Sequence, residues 1–255
     1  MSLQGKVCIV TGGGSGIGEV TVKRFASEGA TVIIADVNEQ GAQRVVHEIL
    51  RHNGSASVMS VRTDVSDDRE VRSLVTEVIS QYGHIDVLFN NAATILPKAL
   101  EEVSEHEWTR VIDINLKSVY LMIKYTIPYL RVTRGSIVNM ASLNGLVGQK
   151  QNAVYAATKG GIIAMTKALA IDYAPEGVRV NCICPAGVMT PLLEKWTMEQ
   201  ADPEEVRTSL NEMHALGRPA RAEEISDAVV FLASQSSQFI TGVALPVDGG
   251  ASLGY

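Results

Sequence analysis

The stretch Thr11-Gly12-Gly13-Gly14-Ser15-Gly16-Ile17-Gly18 joins a short β-branched run at residues 6–11 to an amphipathic segment of helical length near residues 17–29. Backbone N–H groups at a helix start attract phosphate, and glycine lets a ligand approach the backbone closely. We interpret the stretch as a phosphate-binding loop rather than a merely flexible turn, because fixing so many glycines costs conformational entropy. Its candidate ligand-binding residues are Gly12, Gly14, Ser15, Gly16, Ile17 and Gly18.

The alternation of strand and helix continues outward from this loop. β-Branched runs predict seven strands, at residues 6–11, 31–36, 57–63, 86–90, 135–141, 178–184 and 243–247. Amphipathic segments predict helices near residues 17–29, 38–52, 67–82, 104–131, 154–174 and 222–234. This pattern indicates an α/β fold with a doubly wound sheet of seven parallel strands covered by helices on both faces. Ligands bind such sheets at the carboxyl ends of the strands, where the winding reverses.

No linker, repeat or low-complexity tract interrupts the pattern, so we expect one domain over residues 1–255. Pro246 falls within the last predicted strand, and because proline cannot donate to a ladder we expect that strand at a sheet edge. The longest irregular stretch covers residues 185–202, followed by a helix-like segment at 203–214. Long irregular segments in compact domains are usually functional. We therefore expect a substrate lid at about residues 186–215.

Composition excludes several classes of function. The chain has 46% hydrophobic and 20% charged residues and a formal net charge of -6, without a basic run, which argues against a nucleic-acid partner. No apolar stretch reaches the roughly 20 residues of a membrane span and the first residues lack an apolar signal core, so we expect a cytoplasmic protein. Cys8, Cys182 and Cys184 lack disulfide or zinc spacing. We expect buried free thiols and no metal site.

Two acidic residues end predicted strands on the ligand-binding edge. Asp36 lies about twenty residues beyond the glycine loop, where a carboxylate can accept hydrogen bonds from the ribose hydroxyls of an adenosine. The alternative for Asp36 is an ordinary turn residue. Asp64 ends the next strand and has the same alternative, a turn or cap role.

Tyr155 and Lys159 stand four residues apart on one face of a predicted helix. A free phenol has a pKa near 10, so acting as a base near neutrality requires its pKa to fall by roughly three units. A neighbouring ammonium and the positive charge of an oxidised nicotinamide would stabilise the phenolate and supply that shift. The pair alone is a weak signal, because an exposed Tyr and a solvated Lys can share a face of any helix.

Together the motifs resemble those of the short-chain dehydrogenase/reductase family, which has a Rossmann-like fold. Ser142, thirteen residues before Tyr155, and Asn115 complete the family's Asn-Ser-Tyr-Lys set. The resemblance implies that Ser142 holds the substrate oxygen and that Asn115 positions a water for proton relay. It also implies that Lys159 bonds the nicotinamide ribose.

The resemblance covers essentially the whole chain and implies an NAD(H) cofactor and a homotetramer. NAD(H) is favoured because Asp36 would repel a 2′-phosphate and neither residue 13 nor residue 37 is basic. Ala93 and Ala186 replace family glycines, which we interpret as tolerated variation, with a reshaped pocket as the alternative. The family's other cofactor-contacting positions correspond to Asp64, Val65, Asn91, Ala92, Ala93, Tyr155, Lys159, Pro185, Val188 and Thr190.

The implied reaction is the interconversion of a secondary alcohol and a ketone by hydride transfer, with Tyr155 as general acid/base. We expect the substrate pocket at residues 93–97, 143–152 and 187–215. The segment 148–193 resembles sugar and hydroxysteroid dehydrogenases, which favours a sugar, polyol or other cyclic alcohol. A 3-oxoacyl-thioester reductase and a non-catalytic dinucleotide-binding regulator are the alternatives. Candidate substrate-binding residues are Ser142, Asn144, Gln149, Tyr155 and Trp196, with Leu146, Met189, Leu192, Leu193 and Met213 as further apolar candidates.

Overall fold

A seven-stranded parallel sheet forms the centre of the computed structural model, which describes residues 2–253 apart from the side chain of Leu192. The strands are β1 Val7–Thr11, β2 Thr31–Asp36, β3 Val58–Arg62, β4 Val87–Asn90, β5 Ser136–Met140, β6 Arg179–Pro185, the short pair β7 Val188–Met189 and β8 Ala220–Arg221, and β9 Ala244–Val247. The order across the large sheet is β3-β2-β1-β4-β5-β6-β9. The predicted doubly wound sheet is confirmed.

Helices cover both faces of this sheet. They are α1 Gly16–Ser27, α2 Glu39–His52, α3 Asp68–Tyr82, α4 Glu105–Ile112, α5 Ser118–Thr133, α6 Ala153–Tyr173, α7 Pro191–Met198, α8 Pro203–Glu212 and α9 Ala222–Ala233. Side chains of α1, α2 and α9 pack on one face, and side chains of α3, α5 and α6 pack on the other. Successive residues of β1 alternate between the two cores, as Ile9 and Val10 do.

The winding reverses between β1 and β4, which are neighbours in the sheet although two strands separate them in sequence. Thr11 fastens the carboxyl ends of these two strands together. Its hydroxyl oxygen accepts hydrogen bonds from the backbone N–H groups of Asn91 at 2.9 Å and Ala92 at 3.0 Å. A cleft therefore opens at this edge of the sheet, as such a topology predicts.

The helix predicted over 104–131 is confirmed as a helical stretch, in which a π-helical turn at Asp113–Lys117 joins α4 to α5. The prediction of an irregular stretch at 185–202 was wrong, because this stretch contains β7 and α7. Helix α7 starts because Pro191 occupies its first turn and Thr190 caps it, accepting from the Leu193 N–H at 3.3 Å.

Pro246 lies on β9, which among the described strands pairs with β6 alone and so forms an edge, as predicted. Cys8, Cys182 and Cys184 are buried and form no disulfide bond, also as predicted.

Within residues 2–253, no helix is long and apolar enough to cross a membrane. The same part of the chain holds no group of His, Cys, Asp and Glu arranged to bind a metal ion.

Candidate active site

The glycine loop packs so tightly that side chains cannot fit at several positions. Gly12 and Gly16 have φ values of 65° and 55°, a region that L side chains rarely adopt. A Cβ on Gly18 would clash with the carbonyl oxygen of Gly12, and a Cβ on Gly12 would lie 2.9 Å from Ala92 Cα. The loop thus leaves bare backbone at the start of α1, facing the cleft.

This glycine-loop cleft, of ≈ 620 Å³, runs along the carboxyl ends of β1, β2, β3 and β4. Most of the predicted cofactor residues line it, whereas Gly14 and Gly18 shape the loop behind it. The lining members are Gly12, Ser15, Gly16, Ile17, Asp36, Asp64, Val65, Asn91, Ala92, Ala93 and Thr190.

Asp36 lines the cleft and also bonds the backbone. Its carboxylate accepts hydrogen bonds from the backbone N–H groups of Gly14 at 2.8 Å and Asn38 at 2.9 Å. Asp64 accepts from the backbone N–H of Ser66 at 2.9 Å and from the Ser66 hydroxyl, so it stabilises a turn while lining the cleft. Asp36 and Asp64 therefore each stabilise a turn and also line the cleft, so the two roles considered for them are compatible.

Asn91 connects the glycine loop to the end of β4. Its side-chain amide donates to the carbonyl oxygens of Thr11 and Gly12, each at 3.0 Å. Ala93 and Ala186, the departures from the family pattern, both line the second cavity described below, and Ala93 also lines the cleft.

A second space, the tyrosine cavity of ≈ 370 Å³, adjoins the cleft through the shared residues Ile17, Asn91, Ala93 and Thr190. Ser142, Tyr155 and Lys159 all line the tyrosine cavity. The structure thus brings together three of the four predicted catalytic side chains. Of the predicted cofactor residues, Pro185 and Val188 also border this second cavity.

Tyr155 and Lys159 share one face of α6, but their electrostatics differ from the sequence expectation. Burial raises the pKa of Tyr155, and a hydrogen bond with Ser142 acts in the opposite direction. Lys159 Nζ lies 5.4 Å from the Tyr155 ring centroid and donates to the Met140 carbonyl oxygen at 2.7 Å. Burial lowers the pKa of Lys159 to about 8. In the protein without cofactor, burial therefore opposes the lowering of the Tyr155 pKa that proton abstraction requires.

Ser142 caps a 3-10 turn, Leu143–Gly145, and stands two residues after the end of β5. Its hydroxyl oxygen accepts from the Asn144 backbone N–H at 3.2 Å. The turn packs so closely on α6 that a Cβ on Gly145 would lie 2.8 Å from the Lys159 carbonyl carbon. This contact fixes Ser142 relative to Tyr155 and Lys159.

Asn115, the fourth predicted catalytic residue, is buried in the π-helical turn and lines neither space. Its amide oxygen accepts from the Thr94 N–H at 2.8 Å, and its amide nitrogen donates to the Thr94 carbonyl oxygen at 2.9 Å and to the Thr158 hydroxyl at 3.3 Å. The side chain thereby joins the segment after β4 to the helix that carries Tyr155. Its contacts are those of a positioning residue.

The predicted substrate residues Asn144, Gln149 and Trp196 line the tyrosine cavity, and Leu193 and Met213 do so as well. Asn152 joins the polar side, since its amide and that of Asn144 both donate to the Gln149 side-chain oxygen. Leu146 and Met189 are not part of this lining, and both are partly exposed to solvent. The side chain of Leu192 lies outside the described part of the chain.

Sequence reasoning missed several residues around the two spaces. Arg110 and Ile114 border the glycine-loop cleft, and Met140 borders the tyrosine cavity. No motif marks these positions, because their place at the site depends on how α4 and the π-helical turn fold over the strand ends. Gly161 of α6 packs closely against the π-helical turn, since a Cβ there would lie 3.2 Å from the Leu116 side chain.

Comparison with known proteins agrees with this geometry. A protein-family model described as enoyl-(acyl carrier protein) reductase matches residues 12–252. The chain is 41% identical over 252 residues to L-fucose dehydrogenase of Mus musculus, a match that covers 98% of this chain and 90% of that protein. The chain belongs to the short-chain dehydrogenase/reductase family. As a member it is an oxidoreductase that acts on CH–OH groups and uses a nicotinamide dinucleotide.

Other members of the short-chain dehydrogenase/reductase family are similar over the full length. Meso-2,3-butanediol dehydrogenase of Serratia marcescens is 38% identical over 252 residues, covering 99% of this chain and 96% of that protein. The solved structure of 3-ketoacyl-(acyl-carrier-protein) reductase from Brucella melitensis complexed with NADH has a TM-score of 0.89 and 36% identity, covering 98% of this chain and all of that one.

Proposed function

We propose that this short-chain dehydrogenase/reductase uses NAD(H) to interconvert a secondary alcohol and a ketone on an uncharged sugar, polyol or other cyclic alcohol. One observation carries the proposal. Tyr155 and Ser142 line a cavity whose described lining contains Lys159 as its only basic side chain and no carboxylate. A buried anionic substrate would need a cationic partner, and Lys159 already bonds the Met140 carbonyl.

The glycine-loop cleft fits a dinucleotide. Bare backbone at the start of α1 faces it, because Gly12 and Gly16 line the cleft without side chains. Asp36 at the far end suits the adenosine ribose, and Thr63 to Val65 border the same end. We assign the cofactor contacts to the residues predicted from the sequence, with Arg110 and Ile114 added.

When bound, the nicotinamide accepts or supplies the hydride. Tyr155 takes the proton from the alcohol hydroxyl during oxidation and returns it to the ketone oxygen during reduction. Ser142 donates to the same substrate oxygen and holds it beside the phenol. Lys159 bonds the nicotinamide ribose, and Asn115 positions the reacting groups by joining the segment after β4 to the helix that carries Tyr155. The positive charges of Lys159 and of the oxidised ring stabilise the phenolate against the effect of burial.

The preference for NAD(H) over NADP(H) rests on Asp36. A 2′-phosphate placed against this carboxylate would meet like charge, and the neighbouring Val37 offers no cation. The relative crystallised with NADH supports the same preference, although its reaction is of the acyl class.

The tyrosine cavity has two chemically different sides, which favours a ring alcohol. Amide groups of Asn144, Gln149 and Asn152 offer hydrogen bonds to several hydroxyls, while Leu193, Trp196 and Met213 offer an apolar wall. A polyhydroxylated ring presents hydroxyls on its edge and C–H groups on its face, so it suits both sides. The sugar and diol dehydrogenases among the relatives support this class.

Three further assignments complete the proposal. Residues 186–215 act as a lid, since α7 and α8 supply one wall of the tyrosine cavity.

A homotetramer follows the family resemblance. Exposed side chains such as Tyr120, Ile171 and Phe239 provide apolar surface that subunit contacts would bury. The three free buried thiols fit a cytoplasmic, reducing location.

The decisive experiment measures NADH formation with sugars, polyols, hydroxysteroids and hydroxyacyl thioesters. We expect turnover with an uncharged sugar or cyclic alcohol, and none with its phosphorylated or carboxylated analogue. Turnover confined to hydroxyacyl thioesters would favour the acyl-thioester reductase instead. Tight NADH binding without turnover of any class would favour the non-catalytic regulator.

A further inference from the structure

Both backbone polar groups of Gly14, in the middle of the glycine loop, are bonded to charged side chains. Its N–H donates to the Asp36 carboxylate at 2.8 Å, and its carbonyl oxygen accepts from Arg44 Nη2 at 3.1 Å. Arg44 lies on α2, outside the glycine-loop cleft. A glycine with both groups held in this way has lost the freedom that its missing Cβ would otherwise allow.

Arg44 is itself fixed by carboxylates from two helices. It bonds Glu19 of α1 and Glu48 of α2, the latter at 2.9 Å. Lys23 bonds the same two carboxylates, so four charges alternate in one network. Hydrogen bonds from Lys23 and Arg44 lower the pKa of Glu48 to about 2, and the bond with Glu19 raises the pKa of Arg44. The network therefore stays charged at every pH at which an enzyme of this kind works.

The peptide between Gly14 and Ser15 transmits this restraint to the cleft. All peptide bonds in residues 2–253 are trans, so the Ser15 N–H points opposite to the Gly14 carbonyl. Because that carbonyl is held by Arg44 of α2, the Ser15 N–H leaves the peptide on the side away from Arg44, and Ser15 and Gly16 themselves line the cleft. This is the group that a phosphate at the start of α1 would meet.

We propose that Arg44 is a positioning residue for cofactor binding: by holding the Gly14 carbonyl, it aims the Ser15 N–H at the cofactor's pyrophosphate. The inference rests on the cofactor placement proposed above. Arg44 touches neither substrate nor cofactor, and it acts through one peptide plane. Its removal frees the Gly14–Ser15 peptide to rotate, so the phosphate loses a preoriented donor while the reacting groups around Tyr155 keep their arrangement.

The test compares ligands that carry or lack the pyrophosphate, using Arg44→Ala and Arg44→Lys. We expect the dissociation constants of NADH and ADP-ribose to rise about three- to tenfold in Arg44→Ala, as expected for one lost hydrogen bond, while that of adenosine stays within twofold. Arg44→Lys should be intermediate, because a single ammonium reaches fewer of the three acceptors. The kcat at saturating NAD should change less than the KM for NAD.

Arg24→Ala is the matched control. Arg24 is similarly exposed and also bonds two carboxylates, Glu28 and Asp227, but it contacts no loop carbonyl. We expect it to leave all three dissociation constants unchanged, and thermal melting of each variant separates binding effects from stability. Equal weakening of ADP-ribose and adenosine, or no weakening of either in Arg44→Ala, would overturn the inference. Failure of the wild type to bind NADH would instead overturn the proposed cofactor site.

Discussion

The backbone N–H of Gly14 donates to the Asp36 carboxylate across 2.8 Å. Asp36, which we propose binds the adenosine ribose, therefore also holds the glycine loop, which we propose binds the phosphates. Substituting Asp36 consequently removes two things at once, a negative charge and an acceptor for the loop.

Two variants of Asp36 separate these effects. Asp36→Asn removes the charge and keeps one of the two acceptors, so the ratio of kcat/KM for NADP to that for NAD should rise about tenfold or more, which corresponds to 1.4 kcal/mol per tenfold. Asp36→Ala should raise this ratio too, but with a higher KM for both cofactors because the Gly14 N–H loses its acceptor. An unchanged ratio in both variants would show that Asp36 is only a turn residue.

Tyr155→Phe tests the proton transfer. The change removes one oxygen from a buried side chain, and we expect kcat to fall by about 10²- to 10⁴-fold, the usual contribution of a general acid/base. NADH binding, followed by fluorescence, should stay within about twofold, because the cleft is built from other residues. A variant that keeps more than a tenth of the wild-type kcat would remove Tyr155 from this role.

Gly145→Ala tests the contact between the 3-10 turn and α6. The new Cβ would lie 2.8 Å from the Lys159 carbonyl carbon and 2.9 Å from the Gly160 nitrogen, so the turn carrying Ser142 must move away from the helix. We expect a loss of about 1–3 kcal/mol in the free energy of unfolding and at least a tenfold fall in kcat. Gly148→Ala is the control, since a Cβ there meets nothing within 4 Å. Equal kinetics for the two variants would contradict the expectation.

Lys159→Met tests the cost of the buried ammonium. Burial shifts the pKa of Lys159 from the ordinary 10.5 to about 8. Between these values the unfolded chain binds more protons than the folded one, so this lysine destabilises the fold fully below pH 8 and progressively less up to pH 10.5. Urea unfolding at pH 7 to 10.5 should therefore show the wild type gaining about 3 kcal/mol relative to Lys159→Met. A difference between the two proteins that does not change with pH would argue against the shifted pKa.

Trp196→Ala tests the apolar wall of the tyrosine cavity. We expect the KM for the cyclic alcohol to rise about tenfold or more, while the KM for NAD changes little, since Trp196 borders only this cavity. Trp108→Ala is the matched control: this exposed tryptophan of α4 borders neither space. An effect of Trp108→Ala as large as that of Trp196→Ala would point to general destabilisation instead.

Most of the fold could be predicted because the strands of the large sheet are short runs rich in β-branched residues and most of the helices between them are longer and amphipathic. The interruption at Asn115 could not be predicted, because its π-helical turn depends on bonds to Thr94 and Thr158, which are distant in sequence. Helix α7 was missed for another reason. Thr190 and Pro191 mark its start as a cap and a first-turn proline, but Thr and Pro are also common in irregular segments, so the helix was not predicted.

The candidate site, like the fold, could be predicted only in part. The positions of Tyr155, Lys159 and Ser142 could be predicted because they carry motifs with fixed spacing. The direction of the pKa shifts could not, because burial depends on the packed structure, and Lys159 bonds the Met140 carbonyl rather than the phenol. The ion pairs of Arg44 with Glu19 and Glu48 could not be predicted from the sequence either, because no motif indicates which side chains of α1 and α2 meet.

Helix α7 borders both spaces: Thr190 at its start lines each of them, Pro191 lines the cleft, and Leu193 and Trp196 line the tyrosine cavity. An evolutionary route to a new substrate that runs through α7 would therefore alter cofactor affinity at the same time. The segment 143–152 contributes side chains to the tyrosine cavity and none to the cleft. Selection for altered substrates should accumulate changes there first, leaving the shared wall untouched.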